Sequence, residues 1–156
     1  MNALTNYATP RTMVVSVENR FKLERANRLI GQMPQLVEGV DYKINHYFAD
    51  GVYAREGWLR KDTVFVGRVH LHSQINILSK GDVTVLTPEG LRRYTAPCTW
   101  TAPKGTQRAA YTHADTVWTT ILGTDETDPD VIFDTYTKPT YDDYLACEEL
   151  RRLVEK

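Results

Sequence analysis

The segment 67-GRVHLHSQINILSKGDVTVLTPEG-90 contains two strand-like runs separated by a turn at Gly81. Apolar and polar residues alternate in its first half, which is typical of a β-strand with one buried face. This alternation predicts that one face packs on a core through Val69, Leu71, Ile75 and Ile77. The other face carries Arg68, His70, His72, Gln74 and Asn76. Three environments stay open for this polar face: solvent, the mouth of a barrel, or a partner protein.

Further strand-like runs lie on both sides of this segment, from Tyr42 to about residue 124. They are short, rich in β-branched and aromatic residues, and separated by turn residues such as those in 49-ADG-51. Six to eight such strands with no helices between them predict an antiparallel sandwich or barrel.

Helices are predicted at both ends of this β-region. Ser16 is placed to cap a first helix, whose apolar residues recur at helical spacing until Pro34 ends it near Met33. Asp128 with Pro129 indicates a short helix, and Thr140 with Asp143 indicates a capping box for the last one. The predicted organisation is a single domain with an arm (1–15), an N-terminal helix (16–34), a β-barrel (42–124), and a loop with a C-terminal helix (125–156).

The composition excludes several classes of function. The chain has 156 residues with a formal net charge of −1, which gives no strong case for nucleic acid or an anionic membrane. No apolar run is long enough to span a bilayer, and the N-terminus lacks the features of a signal peptide. A cytoplasmic location is therefore expected, and with it free thiols at Cys98 and Cys147.

Three stretches of the β-region resemble the cupin superfamily. They are 75-INILSKGDVTVLTPEG-90, the segment 94-YTAPCTWTAPKGTQR-108 around its Pro-x-Gly turn, and the strand-like 115-DTVWTTILGT-124. Together they cover about residues 53 to 123. The resemblance implies a mainly β fold, a double-stranded β-helix or jelly-roll barrel, with an α-helix at each end of the chain. Cupins are commonly dimers, so a homo-oligomer, a dimer or higher, is expected.

A narrower resemblance is to small cupin-like proteins of tailed bacteriophages. It rests on 50-DGVYARE-56, 67-GRVHLHSQINILSKG-81 and 96-APCTWTAPKGTQRAAYTHADTVWTTI-121. The resemblance implies a phage-encoded protein, either a component of the virion or an accessory protein in the host cytoplasm that contacts phage or host proteins.

The chain departs from the metal-binding pattern of the superfamily. Metal-binding cupins typically offer two histidines and a glutamate in the first motif and a third histidine after Pro-x-Gly. With Gly81 as the closing glycine of the motif, Arg68 and Gln74 replace a histidine and the glutamate, and Arg108 replaces the last histidine. No cofactor is therefore expected. The alternative is one divalent transition metal (Fe, Mn, Ni or Zn) held by His70, His72 and His113.

The substituted arginines suggest a different ligand. Arg68 and Arg108 would bind a carboxylate or a phosphate if they converge with other polar residues of these strands. The candidate ligand-binding set is Arg68, His70, His72, Gln74, Arg108 and Tyr111. The favoured function is thus a non-catalytic cupin-like module for binding or assembly. The alternatives are a metal-dependent cupin enzyme, such as an isomerase or dioxygenase, and a small anion- or nucleotide-binding protein.

Overall fold

The computed structural model describes residues 12 to 155, so most of the predicted arm lies outside the described residues. These residues form eleven strands and three helices. Their bounds are α1 (Val17–Ile30), β1 (Tyr42–Ala49), β2 (Val52–Leu59), β3 (Val64–Val66), β4 (Val69–His70), β5 (Gln74–Lys80), β6 (Asp82–Thr87), β7 (Gly90–Thr95), β8 (Cys98–Ala102), β9 (Ala109–Thr112), β10 (Thr116–Gly123), α2 (Pro129–Tyr136), β11 (Thr137–Lys138) and α3 (Tyr141–Val154).

Two antiparallel sheets form the barrel. One has the strand order β1-β2-β10-β5-β8, the other has the order β3-β9-β6-β7, and β4 pairs with β11 in a short separate ladder. Strands distant in sequence are neighbours in both large sheets, which is the signature of a jelly roll rather than of a series of hairpins. The predicted fold class, a mainly β cupin-like jelly-roll barrel with a helix at each end, is confirmed.

The apolar core lies between the two large sheets. Leu78 and Trp118 come from the five-stranded sheet, and Val83, Val85 and Ala110 come from the four-stranded sheet, and all five are buried. The Trp118 ring contacts Phe65 and Trp100, with centroids 6.3 Å and 5.3 Å away. Burial of aromatic rings provides much of the stabilisation of such a core.

The helices begin where the sequence predicts. Ser16 accepts a hydrogen bond from the Asn19 backbone amide, and Asp128 caps α2 with Pro129 in its first turn. Thr140 and Asp143 form the predicted capping box of α3. Helix α1 packs on strands β3, β6 and β9 of the four-stranded sheet.

The end of α1 differs from the prediction. The helix stops at Ile30, and the backbone amides of Gln32 and Met33 donate to the carbonyl oxygens three residues earlier. Pro34 disfavours helical geometry in the residue that precedes it, so the last turn tightens instead of continuing to Met33. No helix among residues 12 to 155 is long and apolar enough to cross a membrane.

The predicted strand through residues 68 to 77 is wrong in two respects. The strand is interrupted, because β4 ends at His70 and β5 begins at Gln74. The expected packing of Ile75 on the core is also wrong, since Ile75 is 46% exposed whereas Gln74 and Asn76 are buried, which makes the barrel interior the environment of the polar face in β5. The barrel interior around Gln74 and Asn76 supplies hydrogen-bond donors for the oxygen atoms of the two amides, as described below. Polar side chains are therefore accommodated there.

Candidate functional site

The register of the five-stranded sheet places a polar row across the barrel interior. His46 pairs with Arg55, Arg55 with Thr120, Thr120 with Asn76, and Asn76 with Trp100. Residues that pair directly in antiparallel strands point to the same face, so all five belong to the face that contains buried Asn76. Trp118 lies two residues before Thr120 in β10. Trp118 and its partner Leu78 belong to the apolar core. A polar layer therefore lies next to the apolar core inside the barrel.

The opposite wall is built by three short segments joined through backbone hydrogen bonds. The Gly67 amide donates to the Arg108 carbonyl (2.8 Å), and the His70 amide donates to the Thr106 carbonyl (3.0 Å). On its other side β4 pairs with β11, with His70 opposite Thr137. The segment after Pro-x-Gly and the strand that ends at His70 are thereby held side by side. This arrangement brings Arg108 and His70 to the same cavity.

The cavity between these walls is a cleft of about 540 Å³ that opens to solvent. Such a volume is within the usual range for small-molecule sites. Charged and polar residues lie beside many apolar and aromatic ones. The lining residues include Glu38, Tyr42, Ile44, His46, Tyr53, Arg55, Phe65, Arg68, His70, Arg108, Thr120, Leu122, Asp130, Ile132, Phe133 and Tyr136.

Arg108 is the most deeply buried charge of the cleft. Its Nη2 donates to Gln74 Oε1 (2.7 Å), and its Cζ lies 5.1 Å from the centroid of the Trp118 ring. Among residues 12 to 155, no carboxylate forms an ion pair with it. Burial lowers the pKa of Arg108 to about 10, so the guanidinium keeps its charge at neutral pH. The cleft therefore contains a buried cation that no acidic side chain of residues 12 to 155 neutralises.

Several buried N–H groups around Arg108 have no acceptor in the described part of the chain. They are Arg108 Nε, Gln74 Nε2 and Asn76 Nδ2. Asn76 Oδ1 accepts from Trp118 Nε1 (3.0 Å) and Thr120 Oγ1 (3.2 Å), which fixes the orientation of the amide. A buried donor without an acceptor is destabilising by about 1–3 kcal/mol. Of these three residues Arg108 lines the cleft, so its Nε is the unpaired donor that belongs to the deep end of the cleft.

Two further arginines line the cleft nearer its opening. Arg68 lies with its Cζ 4.5 Å from the centroid of the Phe133 ring and 3.8 Å (Nη1 to Oδ1) from Asp134 of α2. Arg55 is an exposed residue of the lining and has no ion-pair partner among the described residues. Burial lowers the pKa of Arg55, and the neighbouring Tyr53 and Tyr42 act in the opposite direction.

His70 lies in the cleft beside these cations. Burial, together with the positive charges of Arg108 and Arg55, holds its pKa well below the usual value of 6.5. The imidazole is therefore neutral at physiological pH. One nitrogen of a neutral imidazole can donate a hydrogen bond, and the other can accept one.

We expect the free energy of unfolding to fall as the pH decreases below about 6.5. The unfolded chain then takes up a proton at His70 that the folded state does not accept, which gives a slope of up to about 1.4 kcal/mol per pH unit. Urea unfolding at several pH values between 7 and 5 measures this slope. The variant His70→Gln is expected to have a shallower slope, and an identical slope in the variant would contradict the assignment.

The structure brings together only part of the predicted ligand-binding set. Arg68, His70 and Arg108 line one cleft, and Gln74 lies behind Arg108 as its hydrogen-bond acceptor. His72 is exposed and packs on Tyr136 with centroids 4.8 Å apart. Tyr111 is outside the cleft, where its hydroxyl donates to Asp62 (2.6 Å).

The alternative metal set of His70, His72 and His113 is not assembled. His113 Nε2 lies 2.8 Å from Thr84 Oγ1, a residue of the four-stranded sheet, and its ring packs on Tyr111. Within residues 12 to 155 there is no group of three or more His, Cys, Asp or Glu side chains that could hold a metal ion. The residues around His70 do not fit a divalent ion either, because arginine offers no lone pair and repels a cation.

Sequence reasoning missed Arg55 and the contribution of α2. The alternation in 52-VYAREGWL-59 places Arg55 on the same face of the strand as Tyr53 and Leu59, which are buried. This pattern could have indicated that Arg55 lies on the inward face. A cation on the inward face of a strand is a candidate site residue. No local pattern indicates that α2 lies beside the cleft, because that depends on the pairing of β11 with β4.

Comparison with known proteins finds similarity only among solved structures. No protein-family model matches the sequence, and no curated protein matches it. The structure of KdgF from Halomonas sp. is 17% identical, with 62% of this chain and 92% of that chain covered and a TM-score of 0.49. An RmlC-like cupin from Shewanella frigidimarina is 16% identical, with 76% and 97% covered and a TM-score of 0.49.

A third similar structure is a cupin-2 domain-containing protein, also from Shewanella frigidimarina. It is 9% identical, with 63% of this chain and 91% of that chain covered and a TM-score of 0.45. At these identities the similarity concerns the fold alone, and this chain is similar in fold to proteins described as cupins.

Proposed function

We propose that the chain is a non-catalytic binding module that holds a small anion in the cleft of its barrel. One observation carries this proposal: the guanidinium of Arg108 is buried in the cleft and has no carboxylate partner among the described residues. A buried charge without a counter-charge destabilises a protein by several kcal/mol. An anion in the cleft would neutralise this charge and accept hydrogen bonds from it.

The other charges of the cleft support the same ligand. Arg55 and Arg68 add two positive charges, of which Arg68 is paired with Asp134 at 3.8 Å and Arg55 has no ion-pair partner among the described residues. The acidic residues of the lining, Glu38 and Asp130, are both exposed. Anions are therefore attracted toward the deep part of the cleft, and cations are not.

Thermal unfolding with added anions tests this proposal. A bound anion stabilises the folded state by about 2.7 kcal/mol at a concentration one hundred times its Kd. Inorganic phosphate, benzoate, dicarboxylates and nucleotides are suitable probes, each compared with sodium chloride at equal ionic strength. The proposal fails if none of them raises the unfolding temperature of the wild-type protein above that of the chloride control.

The main alternative is a metal-dependent cupin enzyme that uses His70, His72 and His113. We expect purified, untagged protein to contain far less than one equivalent of Fe, Mn, Ni or Zn, because the donors around His70 do not suit these ions. Elemental analysis by mass spectrometry measures this content. Near-stoichiometric metal that disappears in His70→Ala would favour the enzyme instead.

The origin and setting of the module are also part of the proposal. The resemblance of residues 50–56, 67–81 and 96–121 to cupin-like proteins of tailed bacteriophages supports a phage-encoded protein. It would act as a virion component or as an accessory protein in the host cytoplasm with phage or host partners. Identification of the protein in purified virions by mass spectrometry distinguishes these two settings.

We expect the protein to form a dimer or a higher homo-oligomer. Large apolar side chains are exposed on both terminal helices, including Phe21 of α1 (63%) and Leu153 of α3 (67%). Covering such residues with a second copy of the chain removes apolar surface from water. Gel filtration with light scattering measures the mass, and a strict monomer across the accessible concentration range would contradict the expectation.

A further inference from the structure

The cleft is much larger than an inorganic anion. A phosphate or sulfate bound at Arg108 would occupy only a small part of about 540 Å³. Cavities of this size usually bury most of an organic molecule. If the proposed function holds, the anionic group therefore belongs to a larger organic body.

Aromatic rings form much of the wall that this body would contact. Tyr42 and Tyr53 come from β1 and β2, Phe65 comes from β3, and Phe133 and Tyr136 come from α2. The Phe133 ring is 47% exposed, although it lies beside a cleft large enough to accept a ring. Flat ring systems pack on aromatic side chains by stacking and by edge-to-face contacts.

The two ends of the cleft therefore differ in chemistry. At the Arg108 end there are an unpaired N–H donor, Arg108 Nε, and a positive charge, and Gln74 Oε1 is already occupied. A group bound at that end must accept hydrogen bonds and is favoured by negative charge. Toward α2 the apolar and aromatic residues Ile132, Phe133 and Tyr136 line the cleft, together with the charged Arg68 and Asp130.

We propose that the ligand of this cleft is an organic anion built on a planar aromatic ring. Its carboxylate or phosphate lies at Arg108, and its ring lies among the aromatic residues that line the cleft toward α2. This inference rests on the proposed function. Aromatic carboxylates and nucleoside monophosphates share this chemistry and are the two sources to be distinguished.

Matched pairs of ligands test the role of the ring. Benzoate is compared with cyclohexanecarboxylate, and adenosine monophosphate with ribose 5-phosphate, by calorimetric titration of the full-length protein. We expect the aromatic member of at least one pair to bind roughly tenfold more tightly than its partner. The pair that shows the difference identifies the source of the ligand. Equal affinities within both pairs would overturn this inference but leave the proposed function intact, whereas binding of no anion would contradict the proposed function.

A variant of the wall provides a second test. Phe133→Leu keeps an apolar side chain of similar size at an exposed position of α2, so folding is retained. We expect it to weaken binding of the preferred aromatic anion by roughly threefold or more and to leave its non-aromatic partner unaffected. Phe21→Leu on α1, outside the cleft, is the matched control and should change neither affinity. Equal losses for both ligands in Phe133→Leu would contradict a specific contact with the ring.

Discussion

Replacing Arg108 with methionine is expected to weaken anion binding by at least about 30-fold without lowering the stability of the free protein. Binding falls because the buried positive charge and its unpaired Nε donor are both lost. Stability is maintained because methionine fills a similar volume next to Trp118 and removes the cost of burying a charge. Calorimetric titration and urea unfolding measure the two quantities on the same preparation.

Two further variants make this result interpretable. Arg108→Met leaves Gln74 Oε1 without its donor, and this cost of about 1–3 kcal/mol opposes the gain from removing the buried charge, so adding Gln74→Met should make the protein more stable than Arg108→Met by about that amount. Arg93→Met removes an exposed arginine that is paired with Asp82 outside the cleft, and it should leave binding unchanged. Unimpaired binding in Arg108→Met would exclude Arg108 as the anion-binding group.

Replacing Gly81 with alanine is expected to destabilise the barrel by at least about 3 kcal/mol. Gly81 joins β5 to β6 with a φ of +103°, which L-amino acids rarely adopt. A Cβ atom there would lie 2.3 Å from Thr116 Oγ1, 2.7 Å from Thr116 Cα and 2.9 Å from the Asp115 carbonyl oxygen. Two of these atoms are backbone, so relief requires movement of the start of β10. Urea unfolding followed by tryptophan fluorescence measures the loss.

Gly39→Ala is the matched control for this variant. Gly39 also has a positive φ, +82°, but a Cβ atom at this position would meet no other atom within 4 Å. It should therefore lose only about 1 kcal/mol, the cost of the backbone conformation alone. The difference between the losses in free energy of unfolding of the two variants measures the cost of the clash between an added Cβ atom and Thr116. Equal losses in both would show that the packing between Gly81 and β10 is looser than the structure indicates.

Local signals account for the parts of the fold that were predicted correctly. Ser16, Asp128 and Thr140 cap helices through hydrogen bonds within three residues of themselves, so the sequence alone contains both partners. Gly81 marks its turn for the same reason, because a positive φ is a property of a single residue. The resemblance to cupin motifs then supplied the jelly-roll fold class, which no local pattern contains.

The error in the strand at residues 68 to 77 has a different origin. Alternation shows that Gln74 and Asn76 share a face, but not whether that face is buried. The outcome depends on Arg108, Trp118 and Thr120, which donate to these amides from 34 or more residues away in the chain. Hydrogen bonds to distant donors made the polar face the inner one.

By itself the sequence determined the caps, the turn at Gly81 and the presence of arginines where metal-binding cupins have histidines, because these depend on residue identity and near neighbours. Only the tertiary structure decided which of those residues meet. Strand pairing brought Arg55, His70 and Arg108 to one cleft and left His72, Tyr111 and His113 outside it. The physical reason is that a binding site depends on distances between residues far apart in the chain, which long-range pairing of strands sets.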